Sequence, residues 1–260
     1  MRVLFIGDIV GKVGRNALKK YAPIFKEKYN YDILIVNGEN SAHGKGITTS
    51  TYKDIMSAGT NIITLGNHFF SKKEAANLFN NATEIVRPYN IHPSAVGQGS
   101  RVYNINGYTL RVTNLLGNAF MNEHEPSNPF KALDEIIEKS NELIHIVDFH
   151  GEATGEKYAM GWDFDGKVSA ILGTHTHIQT VDARIFPNGT AFISDVGMTG
   201  PYNSVIGCKP AEVIFKNRTG LPARFDVATG VAQICGVVID IDETTGKATN
   251  IERIYIIDEN

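Results

Sequence analysis

Short apolar runs punctuate this chain, each stopping abruptly at glycine and polar residues. Arg2 to Ile6 ends at Gly7-Asp8, Asp32 to Asn37 at Gly38-Glu39-Asn40, and Asn61 to Leu65 at Gly66-Asn67-His68. Continuous runs of this length predict parallel strands buried on both faces. Leu18, Tyr21, Ala22, Phe25 and Tyr29 recur at helical spacing after a turn flanked by Gly11 and Gly14, and Thr51, Ile55 and Ala58 predict a second helix. Strands alternating with helices predict βαβ units. Further on, Val102 to Ile105 and Tyr108 to Leu115 flank Asn106-Gly107, a strong hairpin signal. Phe130, Leu133, Ile136 and Ile137 mark one face of a helix over 129–140. Leu143 to Phe149 and Val168 to Leu172 read as strands, the first ending at His150-Gly151-Glu152 and the second at Gly173-Thr174-His175-Thr176-His177. The last third, with strands over 190–194, 231–242 and 249–257, predicts antiparallel pairing. One α/β domain over 1–260, built on a mixed sheet or on two packed sheets, is the simplest arrangement.

Composition narrows the class. With 42% hydrophobic residues and a net charge of −3 over 260 residues, the chain can bury a sizeable core and is not a disordered polymer. The near-neutral charge argues against a protein that coats polynucleotides, so no stable nucleic-acid complex is expected. No apolar run approaches the roughly 20 residues of a spanning helix, and Asp8 interrupts the N-terminal run before it could serve as a signal-peptide core. A cytoplasmic protein without membrane contact is expected. Cys208 and Cys235 form neither a CxxC pair nor a zinc spacing.

The chemistry gathers where strands stop. Five strand ends offer Asp8, Glu39 with Asn40, Asn67 with His68, His150, and His175 with His177. Singly, each has a structural explanation: Asp8 could cap a helix, and Asn40 and Asn67 could close turns. Together they point to one crevice, because ligands bind at the carboxyl ends of strands in open α/β sheets. In an extended segment His175 and His177 would project the same way, with Thr176 facing away. Three histidines, two carboxylates and two amides suffice for two metal ions. Mixed oxygen and nitrogen donors suit Mn, Fe, Zn or Co, and the absence of cysteine from the set disfavours an Fe–S cluster or a Cys-rich zinc site.

These ordered motifs, with their flanking text (GDIVGKVGR, NGENSAHGKGIT, TLGNH, DFHGEATGEK, GTHTHIQT, SDVGMTGPYNSVIG), resemble those of calcineurin-like metallophosphoesterases, and within them the bacterial YmdB-type phosphodiesterases. Two departures from the superfamily pattern are features of that subfamily. Asp8-Ile9-Val10 replaces the usual Asp-x-His, and Glu39-Asn40 stands where a bridging aspartate is usual. The resemblance implies an α/β/β/α sandwich of two mixed sheets flanked by helices. It implies two metal ions, iron or manganese ahead of zinc or cobalt. One ion would be held by Asp8, Glu39, Asn40 and His177, and the other by Glu39, Asn67, His150 and His175. It further implies hydrolysis of 2′,3′-cyclic nucleotides by a metal-bridging hydroxide, with His68 as the general acid.

His43, after the second motif, and Thr199, in Gly197 to Pro201, are candidates for substrate contact. Lys12 and Arg15 read either as phosphate-binding groups at a helix start or as a solvated helix face. His145 reads as a core or sheet-face residue, while His92 and His124 sit in polar loops. The same centre would also serve a phosphomonoesterase or nucleotidase, a slow-turnover cyclic-nucleotide-binding regulator, or a nuclease acting on RNA. The charge balance counts against the nuclease. A homo-oligomer is left open.

Overall fold

The structure is a computed structural model that describes residues 1–121 and 124–259. In chain order its elements are β1 (Arg2–Ile6), β2 (Asp8–Ile9), α1 (Gly11–Tyr29), β3 (Ile33–Asn37), α2 (Thr49–Met56), β4 (Ile62–Thr64), α3 (Ala75–Asn81) and β5 (Ile85–Val86). There follow β6 (Ser100–Ile105), β7 (Tyr108–Leu116), α4 (Pro129–Glu138), β8 (Ile144–His150), α5 (Thr154–Asp163) and β9 (Ala170–Thr174). The last are β10 (Arg184–Ile185), β11 (Ala191–Ile193), β12 (Met198–Pro201), α6 (Pro210–Thr219), β13 (Ala232–Ile241) and β14 (Ala248–Asp258).

The strands form two mixed sheets. In the first, β1, β3, β4 and β5 run parallel, while β13 lies antiparallel between β1 and β14. In the second, β7, β8, β9 and β11 run parallel, with β6 and β10 antiparallel on the two edges. Because side chains alternate across a strand, each apolar run supplies two cores. Val3, Phe5, Ile33 and Ile35 meet Leu110, Val112, Ile144 and Ile146 between the sheets. Leu4, Ile6, Leu34 and Val36 instead face Leu18 and Phe25 of α1 and Ile55 of α2. On the far side, Val147, Phe149 and Ile171 meet Leu133 of α4 and Met160 of α5. This is the expected α/β/β/α sandwich, and burial on both faces explains why the runs lack polar alternation.

Three local expectations are corrected. Gly11 and Gly14 lie in the first turn of α1 rather than flanking a loop, and a Cβ at Gly14 would fall 2.2 Å from the Thr199 carbonyl oxygen of β12. The strand over 190–194 pairs in parallel with β9. His175 to His177 is not extended, since β9 stops at Thr174 and both histidines have positive φ, 99° and 69°. The Asn106-Gly107 hairpin forms as predicted, with both residues left-handed at φ 53° and 88°. Among the described residues no helix is long and apolar enough to cross a membrane.

Candidate metal centre

The parallel strands of both sheets point their carboxyl ends to the same region, and the polar strand-end residues converge there. Asp8 and His150 are fully buried, and Glu39, Asn40 and Asn67 are also buried. Glu39 is the hub. Its Oε1 lies 2.9 Å from Asn40 Nδ2 and 3.2 Å from His150 Nε2, and its Oε2 accepts the His68 backbone N–H at 3.1 Å. On one side Asn40 Nδ2 lies 3.1 Å from His177 Nε2, which is 3.8 Å from Asp8 Oδ1. On the other, His150 Nε2 lies 3.0 Å from both Asn67 Oδ1 and His175 Nδ1. The seven residues thus form two connected groups that share Glu39.

Residues behind this cluster aim its imidazoles. The Thr174 hydroxyl donates to Asp148 Oδ1 at 2.6 Å and so accepts from His150 Nδ1–H at 2.8 Å, leaving Nε2 facing Glu39. His177 Nδ1–H donates to the Ile206 carbonyl at 2.8 Å, turning its Nε2 inward likewise. His175 Nε2 lies 3.2 Å from Glu152 Oε2, which leaves Nδ1 facing His150. Such partners set tautomer and orientation in metal-binding histidines. The turn itself is braced by a buried ion pair. Lys157 Nζ donates to the Thr174 carbonyl at 2.8 Å and to Asp195 Oδ2 at 2.9 Å, and that same oxygen accepts Thr176 N–H.

Electrostatics shows how tightly the groups are coupled. Burial raises Asp8 to about 6, the nearby imidazoles offsetting only part of that cost. Burial alone would lower His150, but the carboxylates of Glu39, Asp8 and Asp148 together outweigh it and lift the imidazole to about 9. Glu39 moves the other way: burial would raise it, yet His150 and the His68 N–H hold it well below the ordinary carboxylate range. Burial and the neighbouring His150 press His175 down to about 3.

The donor set fits divalent metal ions. Ligand atoms of Glu39, His150 and His175 lie within 4.8 Å of one another. Among the described residues the buried Asp8 Oδ1 has no hydrogen-bond partner, although an orphaned carboxylate oxygen is costly. A Cβ at Gly66 would fall 2.2 Å from Glu39 Oε2 and 2.3 Å from His150 Nε2, so glycine keeps this space open.

His68, half-buried, lines a cavity of about 280 Å³ over the cluster, together with Glu39, Asn40, His175 and His177. Val10, Ile206 and Val227 supply apolar wall. His43 lies outside this cavity, exposed on an adjoining one. Thr199 is corrected as a contact candidate: it is fully buried, and its hydroxyl is engaged by both the carbonyl and the N–H of Cys235. Arg15 pairs with Asp54 and donates to the Ser41 carbonyl, whereas Lys12 is exposed. His145 is buried in the sheet, and His124 holds the Asn67 carbonyl at 2.5 Å. Sequence reasoning missed Asp148, Glu152, Lys157, Thr174, Asp195 and His124 as orienting groups. Glu152, two residues after His150, and Thr174, directly before His175, stood beside motif ligands at strand ends.

With this geometry in view, comparison with known proteins is decisive. The YmdB-like protein family model matches residues 4–254. The chain belongs to the YmdB-like family. A relative from Bacillus subtilis named 2′,3′-cyclic-nucleotide 2′-phosphodiesterase is 47% identical over 262 residues, covering 100% of this chain and 98% of its own. Two solved structures share the fold of this YmdB-like chain closely. One, titled a novel phosphatase from Mycoplasma pneumoniae, has a TM-score of 0.96 at 43% identity and covers 99% of this chain and 94% of its own. The other, a hypothetical protein from Thermus thermophilus, has a TM-score of 0.94 at 36% identity and covers 99% and 100% respectively.

Proposed function

We propose that this chain, a phosphoester hydrolase of the YmdB-like family, is a phosphodiesterase that opens 2′,3′-cyclic nucleotides with two divalent ions at the cluster. The observation that carries the reading is the division of the seven residues into two groups joined through Glu39. Asp8, Glu39, Asn40 and His177 would hold one ion, and Glu39, Asn67, His150 and His175 the other. Iron or manganese suits these oxygen and nitrogen donors, with zinc or cobalt as alternatives. The 2′,3′-cyclic specificity rests on the Bacillus subtilis relative. Bound ions supply Lewis acidity toward the phosphate and lower the pKa of water.

The chain's own residues supply the rest. His68 lines the cavity without belonging to either ligand group and, as imidazolium, protonates the leaving ribose oxygen. Its backbone N–H on Glu39 Oε2 ties the acid to the hub of the cluster. The apolar wall at Val10, Ile206 and Val227 receives the sugar and base and excludes water.

Elemental analysis with a phosphoester panel tests the reading. Two ions per chain are expected, with bis-(p-nitrophenyl) phosphate hydrolysed in preference to the monoester. His68→Ala should lower kcat by about 10²–10⁴-fold with the ions retained. Fewer than two ions per chain, or preference for the monoester, would overturn the proposal.

A further inference from the structure

A second cavity, of about 620 Å³, adjoins the first and is walled by His43, Lys72, Lys209, Arg224 and Phe225. Val227 lines both cavities. Facing it is Gly44, at φ 78°, where a Cβ would fall 2.7 Å from Val227 Cγ2, so the saddle between the cavities stays low only because no side chain stands there. The same stretches of chain line both sides. Gly44 borders the metal-side cavity and His43 the outer one; His68 borders the first, and Lys72, four residues later, the second. A substrate whose reacting phosphate lies over Glu39 therefore has a continuous path outward.

The outer trough has a definite chemistry. Three permanent cations line it against one carboxylate, Asp226. Lys72 makes no ion pair among the described residues, and its stem lies along Gly46. Lys209 and Arg224 reach Asp226 at 3.1 and 3.6 Å, and Lys209 also lies 3.9 Å from Glu212. These pairs are exposed and weak, so an incoming phosphate can compete for both cations. Phe225, 41% exposed beside them, carries the Lys216 ammonium 5.2 Å over its ring, a surface contact that a stacking base can displace. Lys72 is remote in sequence from Lys209 and Arg224, so the patch forms no basic run along the chain. This trough is compatible with the near-neutral net charge, because it engages one short strand end rather than coating a polymer.

We infer that the trough holds the nucleotides preceding a terminal 2′,3′-cyclic phosphate, so that the preferred substrate is a short oligoribonucleotide end rather than a mononucleotide. The phosphates lie against Lys72, Lys209 and Arg224, and a base stacks on Phe225. The inference rests on the phosphodiesterase reading for its scissile bond and on the trough for its length preference.

The test separates these two. Binding of a 5′-fluorescein-labelled tetraribonucleotide ending in a 3′-phosphate is measured by anisotropy and compared with a nucleoside 3′-phosphate as competitor. Turnover of a 2′,3′-cyclic mononucleotide is measured in parallel. In the native protein the tetranucleotide should bind about tenfold or more tightly than the mononucleotide, with an affinity that falls as salt rises. The double variant K72E/R224E should lose about that factor on the tetranucleotide. Its mononucleotide binding and turnover should stay within about twofold, because neither side chain lines the metal-side cavity. Equal affinity for both ligands in the native protein, or parallel loss of both in the variant, overturns the inference. Charge-dependent tetranucleotide binding without cyclic-nucleotide turnover upholds the trough and removes the phosphodiesterase reading. The opposite pattern does the reverse.

Discussion

His150 takes its character from two groups behind it. Asp148 Oδ1 receives the Thr174 hydroxyl proton, Thr174 then accepts from His150 Nδ1–H, and the remaining nitrogen faces Glu39. His145, on the same strand, is buried without such a partner set. Its Nε2 lies 2.8 Å from Thr113 Oγ1, and burial, aided by Arg111, pushes its pKa down to about 3. The folded protein therefore keeps this ring neutral under conditions where the unfolded chain, at the ordinary 6.5, takes up a proton. The resulting stability is fully present above pH 6.5 and is lost as the pH falls toward 3. Between pH 7 and pH 5 this amounts to about 2 kcal/mol. Urea titrations at the two pH values should show the native protein losing about that much more than His145→Gln. Equal losses would show that His145 does not titrate differently on folding. The sequence made His145 legible as a core or sheet residue because it sits inside an apolar run. It could not make Asp148 and Thr174 legible as a pair, since their contact spans two strands and depends on register.

The element on which the site turns is the segment from Thr174 to His177. Two non-glycine residues with positive φ cost of order 1–3 kcal/mol each, and such strain persists only where the surroundings enforce it. Lys157 and Asp195 provide that enforcement by gripping the Thr174 carbonyl and the Thr176 N–H on either side of His175. Lys157→Met removes one partner of a buried ion pair and should destabilise the fold by about 3–5 kcal/mol. It should also weaken metal binding by about 10–100-fold, read by competition with a chelating dye. Unchanged metal affinity in the folded variant would mean that the pair does not set the histidine turn. Strand ends were legible because both faces of each strand are buried, which leaves continuous apolar text with sharp stops. The turn was misread as extended because spacing two apart fits a strand equally well. α6 went unseen for the opposite reason: none of its residues is buried, so no apolar stripe marks it.

At the scale of the whole molecule, ligands come from both sheets: Asp8, Glu39, Asn40 and Asn67 follow strands of the first, while His150, His175 and His177 end or follow strands of the second. A cation bridging these groups would favour the assembled sandwich over any partly opened form. Chelation of the ions should lower the folding free energy by about 2.7 kcal/mol per site held at a hundredfold above Kd, and the melting temperature by several degrees. Differential scanning calorimetry before and after dialysis against EDTA reads this, and an unchanged Tm would argue against ions at the junction. The expected sandwich of layers was legible from the strand–helix alternation and the family resemblance. The basic trough was not, because Lys72 meets Lys209 and Arg224 only in three dimensions.

The pairing of β1 has a consequence for synthesis. This strand lies between β3 and β13, with Arg2 opposite Asp240, so one whole flank waits for residues made about 238 positions later. Asp8 and His175, which meet at the centre, are 167 residues apart. At about 5–20 residues per second, the nascent chain carries Asp8 for roughly 8–33 seconds before its partner emerges from the ribosome. For most of that interval the imidazoles of His150, His175 and His177 are not yet made, so a complete metal-binding set comes late in folding rather than at its beginning.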